Sequence, residues 1–252
     1  MADALYDVII PTYNQTALTV ACVESLARMP EAEHSHLIWV DNGSTQEHCQ
    51  NVYGCISRSG LSETTHFLPE NRGFPKAVNL GLALSTAPYV VLLNNDVMLY
   101  PGVFDAMRRA CERTQAAMCG CVAVEPDDSF KRGWQDYKRL IQRGWIKRLD
   151  DIDSFRLLER AEHLAFFCTM LTRACTQRIG YLTEAVGMAF GEDDDYNERV
   201  HAAGMQRVLC LGVHVEHVHR ATARAIWTPA ELAAQQKKAC DILLEKYGER
   251  VW

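Results

Sequence analysis

The sequence predicts an α/β fold in which a mostly parallel sheet is flanked by helices. Three observations carry this. Short β-rich apolar runs alternate with helically spaced stretches in the first part of the chain, the order of β-α-β crossover units. The run Tyr89-Val90-Val91-Leu92-Leu93 is apolar without interruption, as in a strand covered on both faces of a parallel sheet. The runs then give way to polar clusters, at the strand ends where open α/β sheets bind ligands.

Taken in order, Asp7-Val8-Ile9-Ile10 is a buried strand stopped by Pro11. Residues 16–29 have helical spacing, and Pro30 ends them. His36-Leu37-Ile38-Trp39-Val40 is a second strand, closed by Asp41-Asn42-Gly43-Ser44, and a short third strand falls at 65–68. Residues 76–84 read as helix, 89–93 as the clearest strand, 101–117 as helix and 118–124 as strand. Residues 125–159 are polar, basic and aromatic; 164–171 are apolar and read as strand. Residues 191–203 begin with acids and end near Gly204, a helix with acids at its positive end and a glycine stop. Residues 208–218 are strand-like. Thr228-Pro229-Ala230-Glu231 combines a Thr cap, a first-position Pro and a Glu three after the cap, opening a helix that runs to about Tyr247.

The composition bounds the function. With 252 residues, 48% hydrophobic and 23% charged, the chain can bury a sizeable core and is neither disordered, collagenous nor a coiled coil. No apolar run reaches the ~18 residues of a membrane span. Met1-Ala2-Asp3-Ala4 lacks a basic region ahead of an apolar stretch, so the expected location is cytoplasmic, or peripheral at the inner face of a membrane. The ten cysteines include no C-x-x-C and no four-ligand zinc spacing, and read as reduced apolar thiols. The net charge of −6 argues against bulk binding of nucleic acid, though not against a local patch.

Four polar clusters are candidates for chemistry. Pro11-Thr12-Tyr13-Asn14 and Asp41-Asn42-Gly43-Ser44-Thr45 follow the first two strands, and ordinary turn chemistry also explains them. Asn94-Asn95-Asp96 follows the most buried strand, where a carboxylate is well placed for a hard cation. In Gly191-Glu192-Asp193-Asp194-Asp195, Asp194 and Asp195 fit a solvated charge run or a complement to the helix dipole. Glu192-Asp193 follows the apolar approach Met188-Ala189-Phe190, and clustered carboxylates raise one another's proton affinity, as a general base needs.

The order of these motifs resembles glycosyltransferase family 2, with the GT-A fold. The matching residues are Val8 to Asn14, Trp39 to Thr45, Glu70-Asn71-Arg72-Gly73-Phe74 with Asn79-Leu80-Gly81, Leu92 to Asp96, Gly191 to Asp195 and a histidine near His217. They run from about residue 7 to 220, and the Asn-Asn-Asp version is similar to a rhamnosyltransferase-like branch. The resemblance implies one domain over 1–252: a nucleotide-sugar-binding half (1–100), an acceptor and catalytic half (101–227) and a C-terminal helix (228–252). It implies an inverting transferase with a nucleotide-diphosphate sugar as donor. Pro11, Thr12, Tyr13, Asn14, Asp41, Asn71, Arg72, Gly73, Asn79, Asn94 and Asn95 would bind that donor, with Asp41 facing the base and Gly73 letting the backbone approach closely. Asp96 would hold Mn²⁺ or Mg²⁺ with His217, or His219 as second choice. His214 has an odd offset from His217 and lies on the other face. Asp193 would be the catalytic base, with Glu192 positioning its neighbours. Asn94 stands where the family has an Asp; its carbonyl can still ligate, but one charge is lost.

Residues 131–148 carry seven Lys or Arg against the single acid Asp136, interleaved with Trp134, Tyr137 and Trp145. A solvated helical face explains this strip. So does a platform for a polyanionic acceptor, using Trp134, Arg139, Arg143 and Trp145: a glycan, a lipid-linked intermediate, or a nucleic acid with a hydroxylated base. A sugar-nucleotide-binding protein without activity and a sugar-phosphate nucleotidyltransferase are the alternatives. The latter needs a Gly-rich basic loop after the first strand, where this chain has Pro11-Thr12-Tyr13-Asn14-Gln15.

Overall fold

The computed structural model describes residues 4–124 and 153–248. The strands are β1 (Tyr6–Thr12), β2 (Ser35–Asn42), β3 (Ser62–Leu68), β4 (Tyr89–Leu93), β5 (Val97–Met98), β6 (Met118–Val124), β7 (Phe155–Leu157), β8 (Cys168–Thr172) and β9 (Arg207–His217). The α-helices are α1 (Thr16–Ala27), α2 (Gln46–Ser59), α3 (Phe74–Leu84), α4 (Val103–Thr114), α5 (Arg173–Ile179), α6 (Glu192–Ala202), α7 (Ala221–Ile226) and α8 (Pro229–Tyr247).

Among the described residues all nine strands join one sheet, ordered β3-β2-β1-β4-β8-β6-β9-β5 with β7 beside β9. The pairs β3-β2, β2-β1 and β1-β4 are parallel, β8 runs antiparallel to both β4 and β6, and β6 and β9 are parallel again. β1 is buried along its whole length, which its apolar run requires. Val8 and Ile10 pack with Leu37, Trp39 and Phe104 in one core cluster, while Ile9 packs with Ile38, Val40 and Val78 in another. Burying each such side chain contributes roughly 1.5–3 kcal/mol, so the first four strands form a stiff base for the loops at their ends.

The pairing directions decide where the site lies. The C-terminal ends of β1, β2 and β4, the N-terminal end of β8 and the C-terminal end of β9 meet at one edge. The strand order also diverges at β1, with β2 on one side and β4 on the other, which opens a crevice there.

Several expected elements change. A helix, α2, lies between the second and third strands; its side chains are mainly polar, which hides the apolar stripe of Val52, Cys55 and Ile56. The expected strand at 164–171 begins only at Cys168, and Ala165, Phe166 and Phe167 instead line the cleft described below. The C-terminal helix starts with the reciprocal Thr228–Glu231 capping box that the sequence signalled. All ten cysteines are free.

Candidate active site

Three loops build one side of a cleft of about 400 Å³, a volume in the range of small-ligand sites. Their polar side chains brace one another. Asp41 is the next-to-last residue of β2: its Oδ1 accepts from the backbone N–H groups of Gly43 (3.2 Å) and Ser44 (2.9 Å), and its Oδ2 accepts from Thr12 Oγ1 (3.2 Å). Trp39 Nε1 in turn donates to Thr12 Oγ1 at 2.9 Å. Asn14 joins the first loop to the second, its N–H donating to Ser44 Oγ (2.8 Å) and its Oδ1 accepting from the Thr45 N–H (3.1 Å). Asn42 joins the second loop to the third: its Nδ2 donates to Asn71 Oδ1 (2.9 Å) and the Gly73 carbonyl (3.2 Å), while its Oδ1 accepts from the Arg72 N–H (2.9 Å). Gly43 has φ 82°, and a Cβ there would meet the Glu70 backbone at 2.3 Å, so the second and third loops touch through bare backbone.

The third loop also reaches the opposite wall. Gly73 has φ 89°, and a Cβ there would lie 2.9 Å from Met188 Cα; the next residue, Phe74, donates its N–H to the Met188 carbonyl at 2.8 Å. Close approach at this glycine is therefore to the segment that leads into Glu192 and Asp193.

The cluster Asn94-Asn95-Asp96 sits just past the C-terminal end of β4. Asn95 Nδ2 donates to Thr19 Oγ1 at 2.9 Å, and the Asn94 N–H donates to the Phe167 carbonyl at 2.8 Å, which fixes the turn. β5 pairs with β9 at Val97–His217, so Asp96 falls beside the end of β9. Asp96 Oδ1 is 3.1 Å from His217 Nε2, and both side chains are nearly buried. His217 stacks on Phe167 (5.1 Å, 25°) and lies 4.2 Å from the His219 ring, yet neither of its ring nitrogens has a hydrogen-bond partner. His214 lies against the Tyr100 ring instead, as its odd offset requires.

α6 carries the acids. Glu192 is buried, with one oxygen lacking a hydrogen-bond partner, and burial followed by the adjacent Asp193 pushes its carboxyl well above the usual range. Burial, then Asp194, raises Asp193 to about 6; its Oδ1 accepts the Asp194 N–H at 3.0 Å. Both adjacent carboxyls thus bind a proton more readily than an exposed acid does, burial being the larger cause for each. Asp195 departs from the solvated run expected of it. It is fully buried and bound by Thr183, Arg199, Lys246 and Tyr247, so it ties α8 to the start of α6.

The cleft brings together Pro11, Thr12, Tyr13, Asn71, Asn94, Asn95, Asp96, Glu192, Asp193, His217 and His219 among the expected residues. It does not include Asp41 or Asn14, which organise the turns behind it, nor Arg72, which pairs with Glu70 at 2.9 Å. Asn79 is spent elsewhere: it donates to the Leu182 carbonyl and Glu184 Oε1 (3.0 Å each) and accepts the Leu182 N–H at 2.7 Å. Trp134, Arg139, Arg143 and Trp145 lie outside the described residues. Sequence reasoning did not select Asn42, Phe167, Phe190 or Trp227, all of which line the cleft. Asn42 stood inside a named motif and Phe190 in the apolar approach to Glu192; Phe167 and Trp227 had no local signal. Phe190 is left-handed (φ 73°), with Trp227 6.3 Å away and the Arg220 guanidinium 5.7 Å from its ring centre. Among the described residues, no helix is long and apolar enough to cross a membrane.

This geometry agrees with comparison to known proteins. The family model for glycosyl transferase family 2 matches residues 7–180, and the chain belongs to that family. An uncharacterized glycosyltransferase of Rickettsia bellii is 28% identical over 154 residues, 61% of this chain and 19% of that protein. A PGL/p-HBAD biosynthesis glycosyltransferase of Mycobacterium bovis is 32% identical over 100 residues, 40% of this chain and 38% of that one. The chain thus spans well under half the length of these curated relatives. Among solved structures, a mannosyltransferase of Pyrobaculum calidifontis in complex with GDP-Man and Mn²⁺ superposes with a TM-score of 0.63 at 16% identity, covering 99% of this chain and 77% of that one. That likeness shows the GT-A fold.

Proposed function

We propose that this chain is an inverting glycosyltransferase that moves a sugar from a nucleotide-diphosphate sugar to an acceptor hydroxyl, with Asp193 as general base. The observation that carries the reading is one cleft lined both by a carboxyl raised to about 6 and by the Asp96–His217 pair. A base poised near neutrality combines the ionised state with useful proton affinity.

Asp193 takes the proton of the acceptor hydroxyl as that oxygen bonds to the anomeric carbon. The bond from that carbon to the diphosphate breaks on the opposite face, the nucleoside diphosphate leaves, and the configuration inverts. Burial and the adjacent Asp193 favour the neutral form of Glu192, which limits the negative charge beside the base. The donor lies along Pro11, Thr12, Tyr13, Asn42, Asn71, Asn94 and Asn95, on loops whose bracing leaves little freedom to lose on binding.

The residues fit a divalent cation. Asp96 Oδ1 and His217 Nε2 stand 3.1 Å apart at the cleft, an oxygen and a nitrogen donor that could hold one ion together. The unpartnered nitrogens of a buried histidine fit such a role. Among the described residues no third His, Cys, Asp or Glu joins the pair, so donor phosphates and water would complete the set, as is common for Mg²⁺ and similar ions. When bound there, Mn²⁺ or Mg²⁺ neutralises charge on the departing diphosphate. The neighbour with GDP-Man and Mn²⁺ supports this reading.

The acceptor approaches Asp193 past Phe190 and Trp227, whose faces suit a sugar ring; Trp134, Arg139, Arg143 and Trp145 of the basic strip are proposed, from their residue types alone, to bind its anionic groups. Glycans, lipid-linked intermediates at the inner membrane face and hydroxylated nucleic acid share this chemistry. The test is a melting-temperature screen of UDP-, GDP- and dTDP-sugars with and without Mn²⁺, since a ligand of the folded state raises its stability. A metal-dependent rise with at least one donor is expected, followed by product formation that Asp193→Asn abolishes. No rise with any donor, or full turnover by the variant, overturns the reading.

A further inference from the structure

Behind the base, a histidine is held between two acids of the helix that carries it. His163 Nδ1 stands 2.7 Å from Asp194 Oδ1, and its Nε2 stands 3.2 Å from Glu198 Oε1. Asp194 and Glu198 are four residues apart and share one face of α6, where like charges repel. An ionised carboxylate only accepts hydrogen bonds, and a neutral imidazole has one N–H to give; the ring donates to both acids only as the imidazolium. Its side chain is 11% exposed, so this is no solvated surface pair.

The neighbouring backbone is fastened to the same turn. The Leu164 N–H donates to Asn197 Oδ1 at 3.0 Å, while Asn197 Nδ2 donates to the Leu164 carbonyl (2.9 Å) and to the Asp193 carbonyl (2.8 Å). The Asp194 N–H completes the chain to Asp193 Oδ1. None of His163, Asp194 and Asn197 is among the residues lining the cleft, so these contacts act on the base from behind.

We propose that His163 is a positioning residue for the base: its imidazolium, clamped between Asp194 and Glu198, fixes the first turn of α6 and supplies the counter-charge to Asp193. The surrounding charges are paired as well, Arg160 with one of the two clamping acids. Arg160 reaches Glu198 at 3.3 Å, Arg156 pairs with Glu162 at 2.6 Å, and Arg207 of β9 donates to the Glu162 and Glu159 carbonyls and to Asn197. Glu192 stands on the same turn as Asp193, and Asp96, His217 and Arg220 share its cleft. Burial and Asp194 push Asp193 up, and His163 pulls it down.

The proposal rests on the reading of Asp193 as base, but its test needs no donor. Protein labelled with ¹³C at the Asp carboxyls is titrated by NMR, and the Asp193 signal is assigned by its loss in Asp193→Asn. In His163→Gln the Asp193 midpoint rises by about half a unit to one unit. Glu198→Gln, which loosens the clamp while keeping its shape, moves the midpoint the same way by less, and it decides the matter if His163→Gln does not fold. His163→Arg, which keeps the charge, stays closer to wild type than His163→Gln does. An unmoved or lowered midpoint in a folded variant overturns the role of His163. The base assignment fails separately, by transfer activity surviving in Asp193→Asn.

Discussion

The loops after β1, β2 and β3 and the wall formed by Glu192, Asp193 and His217 share one cleft, yet they handle polar groups in opposite ways. On the loop side Asp41, Asn42 and Asn14 spend their oxygens and amides on neighbouring backbone and side chains. On the wall, a Glu192 oxygen and both His217 nitrogens are buried without hydrogen-bond partners, and two adjacent acids are held above their ordinary range. The loop side is preorganised by hydrogen bonds each contributing about 0.5–1.5 kcal/mol. The wall is electrostatically tense, as the proposed base and cation ligand would be, and the first turn of α6 is tied down through Asp194, which contacts His163, and Asp195, which contacts Tyr247. Gly73 links the two, since its loop rests on Met188.

Four changes test this contrast, from the largest effect to the smallest. Asp193→Asn lowers the rate of transfer by about 10²–10⁴-fold, measured as turnover of a donor identified by the screen. The same change should stabilise the protein. Asp193 is raised from 3.8 to about 6, so the native state holds a proton that the unfolded chain releases, and native stability falls as pH rises through that window. Melting curves should show the variant about 1–3 kcal/mol more stable at pH 7, an advantage that disappears below about pH 4. In the wild type, the acid limb of the pH–rate profile has its midpoint near 6, with activity lost as pH falls through it.

His217→Ala is expected to raise the Mn²⁺ concentration needed for half-maximal activity by at least about tenfold, because it removes one of the two proposed protein ligands. Chelation with EDTA abolishes wild-type turnover, and added Mn²⁺ restores it. Gly73→Ala, which places a Cβ against Met188 at a left-handed φ, destabilises the fold by about 2 kcal/mol or more in chemical denaturation. It also weakens donor binding and the rate together, since it displaces both sides of the cleft. Tyr247→Phe removes only the hydroxyl that bonds Asp195 at 2.8 Å, and costs about 1 kcal/mol with donor affinity unchanged.

The legible parts of the fold were those whose signal is local. β1, β2, β4 and β9 are apolar runs bounded by polar residues, and the cap of α8 is written in four consecutive residues. α2 was not legible because its buried stripe is narrow and most of its side chains are polar. Residues 164–167 look like strand because they are apolar, but they serve as cleft lining, and apolarity reports burial rather than backbone conformation.

By itself the sequence determined the motif order, the α/β alternation and the candidates Asp96, Glu192, Asp193 and His217, because each rests on residues adjacent in the chain. Tertiary structure alone decided which of them meet and in what state. Asp96 stands beside His217 because β5 pairs with β9 across more than a hundred residues of chain. Asn42, not Asp41, reaches the cleft because successive strand residues point to opposite faces and Asp41 is drawn into its own turn. The proton affinity of Asp193 belongs to burial and to neighbours such as His163, which pattern along the chain does not place beside it.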